Sequence, residues 1–340
     1  MPDLTLSMSV DPNWDMLVPL IEGKVKPDGI NLEYQYHHGI FYTQLKFNRF
    51  DVAEMSFSSF LMARAKGWPF KALPVFVNRQ FAWTTLVVRK AAGIESPSDL
   101  RGKRVGTGDY QQTAAVWARG ALQHEFGVRP DEMDWYMERT PRFSHGGAIG
   151  GFNPPPGLRF HYAEKPFDKM LLGGELDAAH YQHGGQQVIR SDVDLFHHSD
   201  CKLLFDDRKA EGIRFFKKHG VFPPHHLIVV RESLLEQHPW IATSLMDAFE
   251  LAKKRWMGPI YDRLSSNNRT LSVLVFGRDD LEEQRKIFGD DPFPYGIRAN
   301  AKAIDMMQTF EVEQGLTARK QPLEELFPEE ILIAEEKIGD

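Results

Sequence analysis

Only one cysteine, Cys201, occurs in 340 residues. That scarcity excludes an internal disulfide framework and a thiolate metal cage, and it suits a reducing compartment. Cys201 itself reads as a small buried residue. Positive charge is also in short supply: 41 Lys and Arg stand against 47 Asp and Glu, for a net charge of −6. Without a broad basic field to gather polyanions, neither nucleic acid nor an acidic membrane surface is expected as a partner. No apolar run reaches the length of a membrane span. The opening MPDLTLSMSV has no basic region, no continuous apolar stretch and no small-residue cleavage site, so the expected location is the cytoplasm. Internal repeats and low-complexity tracts are missing, as are a GxSxG nucleophile elbow and a GK[ST] phosphate loop.

What is present is a chain rich enough in apolar (42%) and aromatic (12%) residues to bury the cores of two lobes. LTLSMSV alternates as a half-buried strand, WDMLVPLIEGKV reads as a helix, INLEYQYH as a strand, FYTQLKFN as a helix, DVAEMSF as a strand and SSFLMARAKG as a helix. The pattern restarts near residue 99, with KRVGTG as a strand, QTAAVWARGALQHEFG as a helix and MDWYMER as a strand. Such alternation predicts an α/β fold of two lobes, each a mainly parallel sheet flanked by helices, with a ligand cleft between them. Lobe 1 is expected to hold residues 1–98 and 222–340, and lobe 2 residues 99–221, with TTLVVRK and HHLIVVRE as the crossing strands. The Gly- and Pro-rich stretch from 140 to 160 cannot be one regular element and is a candidate lid.

Three strand ends carry small or capping residues before a helix: SVDPNW, SFSSF and GTGDYQQT. Unpaired N–H groups and the helix dipole favour an anion at such ends. GTGDYQ does not satisfy GxGxxG, so a small carboxylate suits the third end better than a nucleotide. Each end taken alone is ordinary helix capping; their meeting in one cleft would make a site. Trp117 and Trp135 read as core, whereas Phe57 and Tyr110, at element ends, could sandwich an aromatic ring.

DVAEMSFSSFLMARAKG, LRGKRVG followed by DYQQTAAVWARG, EFGVRPDEM, HPW, DPFPYGIRAN and EQGL followed by EELF resemble, in that order, the 4,5-dihydroxyphthalate decarboxylase family, whose fold is similar to the type II periplasmic binding proteins. The likeness runs from about residue 40 to the carboxyl end and is thin between roughly 140 and 220. It implies a cytoplasmic enzyme on a solute-binding scaffold that removes carbon dioxide from an aromatic acid without an organic cofactor.

Loss of carbon dioxide from a ring needs a proton donor, an acceptor for the phenol, and a cation or helix end for the carboxylate. The resemblance assigns Arg79 to grip carboxylate and His226 to carry the proton. After Arg79 the family carries an arginine and a histidine where this chain has Ala82 and Trp83, which implies a site with one positive charge fewer. Ser58, Phe57, Tyr110, Gln111 and Thr113 are expected around the ring and carboxylate, with His145 and His180; His183 is an alternative proton donor, and both His145 and His183 precede glycines that admit close approach. His180, His183 and His226 with Asp109 or Glu54 could instead hold a divalent metal, although positions 180 and 183 of a strand face opposite ways. His37, His38, His197 and His198 read as solvated loop residues. The expected partner is a small carboxylate substrate, with a homodimer suggested by apolar residues on the carboxyl-terminal helices. A solute-binding protein without catalysis and a metal-dependent lyase remain as alternatives.

Overall fold

The computed structural model describes residues 3–37, 39–140, 144–145, 155–180, 193–265 and 274–337. In chain order the strands are β1 (Leu4–Ser9), β2 (Ile30–Tyr34), β3 (Val52–Ser56), β4 (Phe70–Arg79), β5 (Leu86–Arg89), β6 (Arg104–Thr107), β7 (Asp134–Met137), β8 (Arg159–Tyr162), β9 (Ala178–His180), β10 (Cys201–Leu203) and β11 (Pro224–Arg231). The longer helices are α1 (Ile40–Phe47), α2 (Phe57–Ala65), α3 (Thr113–Phe126), α4 (Arg208–His219), α5 (Ile241–Ser265), α6 (Gly277–Phe288), α7 (Ile297–Glu313) and α8 (Glu329–Lys337). No helix among the described residues is long and apolar enough to cross a membrane.

The first sheet has the order β2-β1-β3-β11-β4. β1 runs parallel to β2 and β3, and the late strand β11 enters antiparallel between β3 and β4. All of β3, VAEMS, is buried, as a central strand covered on both faces must be. Met8, Met55, Phe57, Phe76 and Leu227 belong to the core around it. Pairing of β11 with β4 is irregular on both sides of His226, and such irregularities re-aim a side chain. His226 lies opposite Ser56 of β3 and Asn78 of β4.

The second sheet has the order β10-β5-β9-β6-β7-β8. β6 is parallel to β7 and β9, while β5 is antiparallel to β9 and β10. β5 falls within the segment assigned to lobe 1 from sequence, yet it is hydrogen-bonded into the second sheet. The chain changes sheets before the strand starts: Ala82–Thr85 form a tight turn whose threonine hydroxyls donate to Phe81 O and Ala82 O. WDMLVPLIEGKV also departs from the single helix expected. It breaks into Asp15–Leu17 and Val18–Ile21 and stops at Gly23, whose φ of 70° is left-handed.

α3 packs between the sheets. Thr113 Oγ1 accepts from the Ser58 N–H at 3.0 Å and lies 2.8 Å from Ser56 Oγ. One turn on, the Trp117 indole donates to Pro224 O at 2.9 Å. Gly120 faces the Phe310 ring of α7, and a Cβ at that position would overlap the ring. Helix propensity alone favours alanine over glycine by about 1 kcal/mol. Gly120→Ala is nevertheless expected to destabilise the protein by roughly 1–3 kcal/mol through overpacking, read as a lower midpoint in urea; an unchanged or raised midpoint would refute the close α3–α7 contact.

Candidate active site

A cavity of about 460 Å³ lies between the two sheets, within the usual range for small-molecule sites. The first sheet supplies Asp11 and Trp14 after β1, Glu54 and Ser56 of β3, Asn78 of β4 and His225 and His226 of β11. From the other side come Gln112, Thr113 and Ala114 at the start of α3, with Arg139 and His145. Phe41 of α1 adds an apolar wall, its ring 4.8 Å from the imidazole of His226 and 5.7 Å from that of His145, edge-on to both.

Glu54 organises the first half. Its carboxylate is 1% exposed, yet it accepts three hydrogen bonds: 2.6 Å from His226 Nδ1, 2.8 Å from Trp14 Nε1 and 2.8 Å from the Asp11 N–H. With Glu54 as acceptor, the proton of a neutral His226 ring sits on Nδ1 and the Nε2 lone pair is left for other partners. A carboxylate behind the imidazole fixes its orientation and its tautomer.

The second half is built on Asp109. Its fully buried carboxylate accepts from the His145 N–H and from Ser144 Oγ, each at 3.0 Å, and Arg139 stands 3.6 Å away. Burial pushes the Asp109 carboxyl upward, while Arg139 and the hydrogen bonds oppose that rise. Arg139 Nη1 donates to His145 Nε2 at 3.2 Å, so His145 carries its proton on Nδ1, which faces Ser59 Oγ at 3.3 Å. Burial, Arg139 and His226 hold the His145 imidazole well below its usual range, and it is neutral. The first intrahelical bond of α3 runs from Val116 N to Gln112 O. The N–H groups of Thr113 to Ala115 thus have no partner inside the helix, and Arg139 borders the same cavity as Thr113 and Ala114, an arrangement whose polarity suits an anion.

Of the residues expected from sequence, the structure gathers His226, Thr113 and His145 around one cavity. His183 lies outside the described residues, as does most of the candidate lid. The remaining expected residues lie elsewhere. Arg79 donates to Phe222 O at 2.8 Å, Pro294 O at 2.7 Å and Asn300 Oδ1 at 2.6 Å, and so ties β4 to the carboxyl-terminal segments. Phe57 packs against Phe76 in the core, and Tyr110 lies under the Arg119 guanidinium at 3.7 Å. Gln111 donates to Ser144 Oγ at 2.8 Å beneath the cavity wall. Ser58 is buried beside Glu311, and His180 is buried at the end of β9, its pKa lowered to about 4 by that burial. Among the described residues no cluster of three or more His, Cys, Asp or Glu is arranged to hold a metal ion.

Arg139, Trp14 and Phe41 were not singled out from sequence, and Glu54 was considered only as a metal ligand. Glu54 did carry a signal: a carboxylate inside the apolar strand VAEMS must be paired or costly. Arg139 carried none, since arginine at a strand end is commonplace.

A family model described as ABC transporter, phosphonate, periplasmic substrate-binding protein matches residues 7–151. The chain is 32% identical over 340 residues to a 4,5-dihydroxyphthalate decarboxylase of Comamonas testosteroni, covering 96% of this chain and 97% of that protein. It is 37% identical over 194 residues to a 4,5-dihydroxyphthalate decarboxylase of Pseudomonas putida, covering 52% of this chain and 70% of that protein. Among solved structures, the periplasmic aliphatic sulphonate binding protein SsuA of Escherichia coli aligns with a TM-score of 0.54 at 11% identity, over 97% of this chain and 99% of that one. That likeness shows the shared two-lobed binding-protein fold.

Glu311, beside Ser58, sets a pH test of the packing between α7 and the lobes. Burial raises its carboxyl to about 8, against a weaker lowering by Ser58 and Arg119. Between the ordinary carboxyl range and about 8, the unfolded chain has released this proton and the folded chain still holds it, so stability falls as pH rises. Glu311→Gln is expected to stabilise at pH 8 relative to pH 5 by on the order of 3 kcal/mol, measured by urea unfolding at both pH values. Equal effects at the two pH values would show that Glu311 ionises normally.

Proposed function

The chain belongs to the 4,5-dihydroxyphthalate decarboxylase family, and on that premise we propose that its inter-sheet cavity releases carbon dioxide from a hydroxylated aromatic carboxylic acid. The observation that carries the assignment of roles is the pairing of buried Glu54 with His226, which opens on the same cavity as Arg139 and the start of α3. Arg139 and the N–H groups of Thr113 to Ala115 hold the substrate carboxylate. Phe41 and Trp14 confine the ring, and Ser56, Asn78 and Gln112 offer hydrogen-bonding groups for its hydroxyls.

In this mechanism protonated His226 gives the Nε2 proton to the ring carbon that bears the carboxylate. The bond to the carboxylate carbon then breaks, its electron pair returns to the ring, and carbon dioxide leaves. A ring hydroxyl placed ortho or para supplies electron density for protonation, so the step requires no organic cofactor. Glu54 stabilises the imidazolium before transfer and restores its geometry when a new proton arrives. Neutral His145 steers Arg139 without placing a competing charge beside it.

His226→Ala is expected to lower kcat for carbon dioxide release from its preferred hydroxylated benzoate or phthalate by about 10²–10⁴-fold. Binding of the corresponding decarboxylated phenol should change little, and retained turnover would remove His226 from the proton-transfer role. Arg139→Met should raise KM by about ten- to hundredfold, because a charge-assisted contact to the carboxylate is lost. Tight binding of an aromatic acid to the unaltered protein, with no carbon dioxide released from any member of the panel, would instead identify a solute-binding protein.

A further inference from the structure

A second chamber of about 310 Å³ adjoins the cavity, with Trp14 and Asn78 in the walls of both. Its other side is formed by the outer helices α5 and α6 and by the segment after α6. Trp256, Met257 and Ile260 come from α5, Leu281 from α6, and Phe293 follows. We propose that this chamber is a specificity subsite that takes an apolar substituent on the aromatic acid, extending from the ring past Trp14 and Asn78. The inference rests on the aromatic-acid reading of the main cavity.

Several of the polar groups around the chamber are already committed to protein partners. Gln284 Nε2 donates to Tyr261 Oη at 3.0 Å, and both terminal nitrogens of Arg79 are bound to Phe222, Pro294 and Asn300. Asn13 is turned back onto Asp11, whose Oδ1 accepts from the Asn13 amide nitrogen at 2.8 Å. Hydrocarbon, aromatic ring and thioether make up most of the surface facing the chamber, and the exposed Asp15 carboxylate adds a negative charge to its wall, which favours an alkyl or aryl group over a second carboxylate. Trp14 cannot swing freely across the passage, since its indole N–H is held by Glu54 at 2.8 Å. The same bond that steadies the proton-transfer pair thus fixes the partition between ring and substituent. Trp256, Met257, Ile260 and Leu281 are each half-buried, so an entering chain removes both its own apolar surface and theirs from water.

The test uses calorimetric binding of hydroxybenzoates carrying a straight alkyl chain, in a series from methyl to hexyl, to the unaltered protein and to Ile260→Trp and Leu281→Trp. In the unaltered protein Kd is expected to fall about three- to fourfold per added methylene until the chamber is full. Both tryptophan variants, which fill the chamber with apolar bulk at half-buried positions, should flatten that trend and leave the unsubstituted acid within twofold. A flat series in the unaltered protein overturns the proposal, and so does a trend that survives in both variants. Carbon dioxide release from the same compounds reads the other question: a falling Kd series with no release from any member would sink the decarboxylase reading and leave the subsite standing.

Discussion

The arrangement of the site depends on one buried carboxylate. Glu54 sits in the middle of a fully buried strand, 1% exposed, where an unpaired ion would cost several kcal/mol. Three donors meet that cost, and they come from parts of the chain distant in sequence: the backbone and indole of the turn after β1, and the imidazole of β11. Satisfying the carboxylate therefore brings the turn, the central strand and the returning strand to one point. The register irregularity in β11 places His226 there. Burial of Glu54 thus links the stability of this sheet to the geometry of the cavity wall: the arrangement is unfavourable unless these bonds are formed.

The second lobe uses the same logic with different groups. Asp109 is buried and paired with Ser144, the His145 backbone and Arg139, so it organises the other wall of the cavity. GTGDYQQT therefore does more than present a helix end to a ligand. Its Asp109 accepts hydrogen bonds from Ser144 and the His145 backbone, and its Thr113 joins the lobes through Ser56 and Ser58. The positive corner of the cavity arises one step further on, where Arg139 borders the same space as the first turn of α3.

Arg79 and Arg139 show how far a linear reading reaches. Both are arginines at the end of a strand, and the resemblance pointed to the first. In the folded protein Arg79 spends its donors on two carbonyls and an asparagine of the carboxyl-terminal region. Arg139 borders the cavity because β7 ends there and Asp109 faces it. Nothing local distinguishes the two, since the difference lies in which distant acceptors each meets. Phe41 was equally silent: aromatic residues are frequent in amphipathic helices, and only the packing of α1 against β3 sets its ring beside two histidines.

By itself the sequence determined the class of fold, the strand and helix alternation, the family and three residues of the cavity. These follow from periodicity and from motifs contiguous along the chain, where neighbours in sequence are neighbours in space. Tertiary structure alone decided which carboxylates are buried, which arginine borders the cavity, to which sheet β5 belongs and that a second chamber adjoins the site. Each of those is settled by contacts between segments tens to hundreds of residues apart, and burial and hydrogen-bond satisfaction exist only once those segments have met.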